Sequence, residues 1–321
     1  MKSDVVHIGV DVSKGKLDVY NPNDGTVTEV GNEASGFRRI RDLARRYQAV
    51  VCCEPTGGYE LDMVLFLQRF KVRVAYCDGY KVRHYAKACG EESKNDKIDA
   101  RMISLFADNA KVHILGEKDA AQLKLRQRYN LYKTFVDMHV ILAQKASSEP
   151  NADIRKLLLA ESGRLERRAK AMLAKCVELA NEDERMEHLL ERFVAIDGVG
   201  AITALAILAW LPEIGTMSDG AVTKLAGLAP KEGQSGMSDH TRYCSGGRRN
   251  VRCALYMACL PAINHNHILG AYYEKVKQRI PGPKAKKWAM VPVMRKLLHL
   301  MNRLASDDTF ELQKKPRSTA A

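Results

Sequence analysis

At 321 residues and 46% apolar content, the chain is long enough for about two domains at ~150 residues each and apolar enough to bury sizeable cores. A net charge of +13 points to a polyanionic partner, nucleic acid ahead of a membrane surface. No run approaches the ~20 uncharged apolar residues of a membrane span, Met1 to Asp11 lacks signal-peptide architecture, and eight cysteines without a C-x-x-C pair argue against zinc and for a reducing compartment. These features exclude a membrane or secreted protein and set the expectation of a cytoplasmic one.

The first elements read as a sheet. Val5 to Val10 is a short β-rich run ending at Asp11, followed by Leu17 to Tyr20 and, after the turn at Asn21 to Gly25, by Thr26 to Val30. The turn chemistry predicts a three-stranded antiparallel meander. Ala34 to Tyr47 is helical, with Phe37, Ile40, Leu43 and Ala44 on one face and five arginines elsewhere. Ala49 to Cys53 is wholly apolar, as a strand at a sheet centre is, and runs straight into Glu54. A helix from Tyr59 to Phe70, a strand over Val72 to Cys77 and a helix near Val82 to Cys89 follow. The next helix opens in KNDKIDAR, Lys94 to Arg101, where Asp96 and Asp99 stand three residues apart on one helix face.

Each acid has an ordinary reading by itself. Asp11 suits a strand-end turn, Glu54 a helix entry through Pro55-Thr56-Gly57-Gly58, and Asp96 with Asp99 an N-cap and a first-turn acid favoured by the helix dipole. Together they read differently. The order βββαβαβα, with acids ending the first and fourth strands and two more on a late helix, is the ribonuclease H-like layout, in which carboxylates at the ends of adjacent strands meet. Two such charges ~4 Å apart repel by ~4 kcal/mol at an effective dielectric of 20, so the cluster calls for a cation, and hard oxygen ligands select Mg²⁺ or Mn²⁺.

Beyond lies helical sequence. Asp119 to Lys145 carries Leu125, Tyr132 and Val136 on one stripe; after a break at Ser147 to Pro150, Ile154 to Leu179 places Leu158, Leu165, Met172 and Leu179 seven apart. This heptad seam suits an antiparallel hairpin within the chain, a contact between chains, or packing on its own domain. Phe193 to Leu208 has the helix-hairpin-helix pattern around Gly198-Val199-Gly200, whose helix N-terminus can hold a phosphate without reading sequence. Leu228 to Asn250 is Gly- and Ser-rich and predicts a loop. Its composition favours contacts to phosphate, through Arg242, Arg248 and Arg249, over a nucleophile. Helices follow at Val251 to Ile263, Ile268 to Arg279 and Ala285 to Ala305. From Lys224 to Arg303 fifteen Lys or Arg face three acids (Glu232, Asp239, Glu274), a balance suited to a phosphate backbone. Glu311 to Ala321 reads as a disordered tail.

Nearly the whole chain resembles the DEDD transposases of the insertion-sequence 110 type, which include bridge-RNA-guided recombinases and are related to Piv-type DNA invertases. IGVDVSKGKLDV at Ile8 to Val19, CCEPTGGYE at Cys52 to Glu60 and KNDKIDARMI at Lys94 to Ile103 match the family's RuvC-like domain. AIDGVGAITA at Ala195 to Ala204, KLAGLAPKEGQSG at Lys224 to Gly236 and RRNVRCALYMA at Arg248 to Ala258 match its C-terminal transposase domain. The resemblance implies an α/β domain over residues 1–112, a helical hairpin or coiled coil over 113–182 and an all-α transposase domain over 183–310. It implies Asp11, Glu54, Asp96 and Asp99 as metal ligands, and Ser235 as nucleophile, against the compositional reading of its loop. Where the family carries a further Arg-Gly pair and a Lys-x-Gly step, this chain has Asp239-His240-Thr241-Arg242 and Ser245-Gly246-Gly247, so Arg242, Arg248 and Arg249 stay as candidates for the attacked phosphate. The implied partners are target and donor DNA, a structured bridge RNA and further copies of the chain, a dimer that becomes a tetramer on synapsis. A Holliday-junction-resolvase-like nuclease using the same acids, an RNA-independent DNA invertase and a nucleic-acid-binding protein with a fossil catalytic domain are the competing readings.

Overall fold

The computed structural model describes residues 5–55, 58–91, 96–110, 112–235, 238–244, 246–280, 282–283 and 285–312. The chain divides into two compact units, Met1–Leu123 and Lys124–Ala321.

The first unit is built on a six-stranded mixed sheet in the order β3-β2-β1-β4-β5-β6. Strands β1 (His7–Val12), β2 (Lys16–Asn21) and β3 (Thr26–Gly31) form the expected antiparallel meander. Helix α1 (Ala34–Arg46) carries the chain across to β4 (Val50–Cys53), which lies parallel to β1. Helix α2 (Leu61–Arg69) leads to β5 (Val74–Tyr76), parallel to β4. Helices α3 (Gly79–Ala88) and α4 (Asp96–Asn109) then precede the two-residue β6 (His113–Ile114), antiparallel to β5 and not foreseen from the sequence. All four residues of β4 are buried, as an uninterrupted apolar run at a sheet centre requires.

Strand alternation divides the core in two. Ile8, Val10, Leu17, Val51 and Cys53 face Phe37 and Ile40 of α1 and Met63 and Leu67 of α2. On the other face, Val50, Cys52 and Ala75 meet Val82 of α3 and Met102, Ile103 and Ala107 of α4. Helix α3 begins three residues before the predicted Val82, because the Asp78 carboxylate accepts hydrogen bonds from the backbone N–H groups of Tyr80 and Lys81 and so caps it.

Helix α5 (Glu117–Ser148) runs from the first unit into the second. Asn151 caps α6 (Ala152–Asn181) through the N–H groups of Asp153 and Ile154. His139 of α5 bonds Ser162 of α6, Nδ1 to Oγ, at 2.9 Å, and the Tyr129 and Tyr132 rings lie near Cys176, so the two helices run antiparallel. Of the heptad seam, Leu165 and Leu179 are buried while Leu158 and Met172 are half-buried. Helices α7 (Glu184–Val194) and α8 (Ala201–Trp210) form the predicted hairpin; the interior of α8, Thr203 to Ala209, is buried.

Next come α9 (Asp219–Leu225) and two paired strands, β7 (Pro230–Ser235) and β8 (Ser238–Cys244). Here the expectation of an irregular loop is corrected. The segment is an antiparallel hairpin with an irregularity between Lys231 and Gly233. Its strands show no alternation of apolar side chains, so periodicity could not reveal a ladder made by backbone pairing. Helices α10 (Arg249–His265), α11 (His267–Gln278) and α12 (Ala285–Ser306) close the fold. Residues 313–321 of the predicted tail lie outside the described residues. Among the described residues no helix is long and apolar enough to cross a membrane.

Candidate active site

Asp11, Glu54 and Asp99 come together on the α4 side of the first unit's sheet. In the parallel β1–β4 register Val10 stands beside Cys53, so Asp11 and Glu54 are the next residues of strands about 4.8 Å apart. Burial, then the negative charges of Asp11 and Asp99, push the Glu54 carboxyl above its ordinary range; Arg83 opposes the shift and Asp78 adds to it. Asp96 is the first residue of α4, and its side chain lies outside the described residues.

Two glycines make this geometry possible. A Cβ on Gly9 of β1 would collide with the Ala100 carbonyl and stand 2.8 Å from the Ser104 nitrogen, so only glycine lets α4 lie directly on the strand. The contact is fastened by Ser104 Oγ donating to the His7 carbonyl at 2.6 Å and by His7 Nδ1 against Asp108 Oδ1 at 2.7 Å. A Cβ on Gly79 would likewise run into the Glu54 carboxylate; its absence leaves that group room at the start of α3.

Sequence reasoning passed over both glycines and two further acids. Asp18 stands opposite Asp11 in the β1–β2 register, hence on the same face, is 2% exposed and pairs with Lys16 Nζ at 3.2 Å. Counting back across the Ser13-Lys14-Gly15 turn would have found it. Glu60 is fully buried and accepts hydrogen bonds from the Gly58 N–H at 2.9 Å and the Tyr76 hydroxyl at 3.4 Å, holding the segment that follows Glu54. No periodicity marks a buried acid at a helix entry.

Among the described residues no three His, Cys, Asp or Glu side chains form a ready-made ligand group. The donor set nevertheless fits a hard divalent cation: Asp11, Glu54 and Asp99 offer only oxygen, and such a cation would offset both the burial and the neighbouring negative charges that raise Glu54.

The remaining candidates belong to the second unit. Ser235 is the last residue of β7 and pairs with Ser238 across the hairpin; the side chains of Ser235 and Arg242 lie outside the described residues. The base of this hairpin is clamped. A Cβ on Gly247 would strike the Gly227 backbone, one on Gly227 would strike the Gly246 carbonyl, and Arg248 N–H donates to the Leu225 carbonyl at 2.7 Å. Arg248 also forks onto Glu213 at 2.5 and 2.6 Å and donates to the Trp210 carbonyl at 3.0 Å, so it braces the fold. Arg249 begins α10 and is exposed. Gly198 takes φ +94°, and a Cβ there would collide with Ala262 of α10. Gly200 is the exposed cap of α8.

Residues 8–148 match a transposase family model of the IS110 DEDD type, and residues 190–274 match the model described as the transposase IS116/IS110/IS902 family. The first range contains the four acids and the second contains Ser235, both hairpin glycines and the three arginines. The chain is also similar to pilin gene-inverting proteins of Moraxella bovis and Moraxella lacunata, each 22% identical over 308 residues, covering 91% of this chain and 93% of the relative.

Proposed function

Because the chain belongs to the IS110 family of DEDD transposases and is a DNA recombinase, we propose that it cuts and exchanges DNA strands through a covalent phosphoserine intermediate, with Ser235 as nucleophile and the acids as holders of a divalent cation. The single observation that carries this reading is the meeting of Asp11, Glu54 and Asp99. Three carboxylates gathered where their charges repel suit chemistry on a phosphodiester.

In the proposed step the Ser235 hydroxyl oxygen attacks phosphorus. A bond from Oγ to phosphorus forms, the bond from phosphorus to the departing deoxyribose oxygen breaks, and the serine proton is lost as that oxygen gains one. The number of phosphoester bonds is unchanged, so rejoining to a new strand needs no nucleotide cofactor. Asp11, Glu54, Asp96 and Asp99 would hold the cation, Mg²⁺ or Mn²⁺, which when bound supplies positive charge against the phosphate oxygens. Gly198 and Gly200 would hold a flanking phosphate, Arg242 and Arg249 the attacked one, and Arg248 positions the hairpin that bears Ser235.

Several finer features belong to the same reading. The β3-β2-β1-β4-β5 order, an antiparallel meander continued by parallel crossover strands, supports a ribonuclease H-like, RuvC-like domain over residues 1–112. The antiparallel α5–α6 pair supports the helical hairpin expected over 113–182, with β6 and the start of α5 belonging to the first unit, and residues 183–310 would form the transposase domain. A structured guide RNA would choose target and donor by base pairing, leaving the protein to hold backbone and shape. The acids and Ser235 would come from different copies in a dimer that pairs into a tetramer on synapsis, within the cytoplasm. The gene-inverting relatives from Moraxella make DNA inversion the second reading.

The test is trapping. Incubation with DNA carrying the element's ends, followed by denaturation, should yield a protein–DNA adduct that disappears in Ser235→Ala. Cleavage by Ser235→Ala with no adduct in the parent would instead establish a water-using nuclease.

A further inference from the structure

Helix α3 has two unlike faces. Val82 packs into the sheet core, the Tyr85 ring meets Phe106 edge-on at 5.9 Å, and the Tyr85 hydroxyl accepts from Asn109 at 3.1 Å, all toward α4. The opposite stripe, Tyr80, Arg83, His84 and Lys87, follows the i, i+3, i+4, i+7 spacing of a single helix face, and all four side chains are exposed. Tyr80 is 75% exposed, an unusual position for a large aromatic, and its ring stands edge-on to His84 at 4.2 Å between centroids. With Glu54 and Gly79 these residues line a cavity of about 290 Å³. Glu54 thus belongs both to this cavity and to the group of acids.

We propose that this face of α3 is a DNA-strand site, in which Arg83 and Lys87 hold phosphates flanking the one delivered to the acids while the Tyr80–His84 pair stacks against an unpaired base. The proposal rests on the acids being the strand-exchange centre. A phosphodiester approaching Asp11, Glu54 and Asp99 meets like charge, and cations one helix turn away offset that repulsion. Arg83 and Lys87 line the same cavity as Glu54, which puts their charge beside it. From Tyr80 to Lys87 the stripe covers about 10 Å of helix at 1.5 Å per residue, so it tracks backbone beside the reacting phosphate. Phosphate contacts of this kind position a strand without reading its sequence. Aromatic rings accept any base, which suits strands that must unpair to be exchanged.

The experiment measures how the affinity of the full chain for a fluorescein-labelled DNA duplex, and for one of its single strands, depends on salt, in EDTA so that no strand is cut. The log–log slope falls by about 0.9 for each duplex phosphate that the protein no longer neutralises, so Arg83→Gln/Lys87→Gln should lower it by about 1.8. Arg83→Lys keeps its charge and should keep the parent slope. Tyr80→Ala should weaken single-strand binding by about tenfold, the order expected when one base loses its stacking ring. Arg38→Gln/Arg39→Gln, on an exposed part of α1, serves as a control of equal charge and should leave the slope unchanged. A slope unchanged in the α3 pair, or lowered equally in the α1 pair, overturns the site. A change seen with RNA strands but not with DNA overturns the assignment to DNA. Binding is read without cleavage, so failure to trap an adduct while the α3 slope falls would count against strand exchange through serine and not against the strand site.

Discussion

Gly9 shows how a residue without a side chain can decide where acidic side chains meet. It brings the α4 backbone against β1, and α4 carries Asp99 to Asp11 and Glu54. Gly9→Ala should force the helix away, destabilising the protein by about 1–3 kcal/mol, the usual range for overpacking, and abolishing adduct formation; urea unfolding and the trapping assay read the two effects. Glu54 is the complementary case, a group whose ionised form the fold disfavours. Its folded pKa lies above the ordinary 4.5, so its stabilising contribution is complete below about that pH and lost as pH rises through the raised value. At neutral pH without divalent cations, ionised Glu54 therefore costs stability. Glu54→Gln should raise the unfolding midpoint in EDTA, respond less to added Mg²⁺ than the parent does, and lose strand exchange. A midpoint in EDTA at or below the parent's would show that the three acids are not a strained cluster.

At the scale of elements, fastening matters more than propensity. The end of α12 leads into a short segment tied back to α7: Arg192 donates to the carbonyls of Asp307 at 3.1 Å and Phe310 at 2.6 Å and to Asp308 Oδ1 at 3.2 Å, while the Arg303 guanidinium lies 4.1 Å over the Phe310 ring. The exposed carboxylate contributes little, whereas the two backbone carbonyls give the segment a fixed course. Arg192→Ala should release it, seen as faster tryptic cleavage after Arg303 with little change in the global unfolding midpoint; cleavage at the parent rate would mean that ring stacking alone holds it. The β7–β8 hairpin is fastened differently, by glycine-to-glycine contact at its base and by the Arg248–Glu213 fork. These contacts explain why the AGL and SGGRR stretches flank Ser235: they lock the base of the strand pair that ends in the serine.

For the whole molecule, the division into two compact units predicts more than one unfolding transition. The eight free cysteines supply probes in both. Cys89 and Cys253 are exposed and should react with N-ethylmaleimide at once. Burial pushes Cys176 up to about 11 and Cys259 up to about 12, so in the folded second unit they stay protonated and unreactive near neutral pH. Cys52, Cys53 and Cys77 are buried in the first unit. Labelling along a urea series should therefore give one midpoint for Cys52, Cys53 and Cys77 and another for Cys176 and Cys259; coincident midpoints would show the units unfold as one. Much of this architecture was legible in the chain itself. The meander, the buried β4, the α7–α8 hairpin and the long helices follow from local chemistry, because turn residues, caps and apolar periodicity act over a few neighbours, and the spacing of the acids is plain in the sequence. What only the tertiary structure decided is what depends on partners distant in sequence: the β7–β8 ladder, which backbone groups make without an apolar pattern, the close approach that Gly9 permits, the burial of Asp18 and Glu60, and the joining of α3's exposed face to Glu54. Each is a contact between segments, and a sequence read along its length carries no record of which backbone will lie against which.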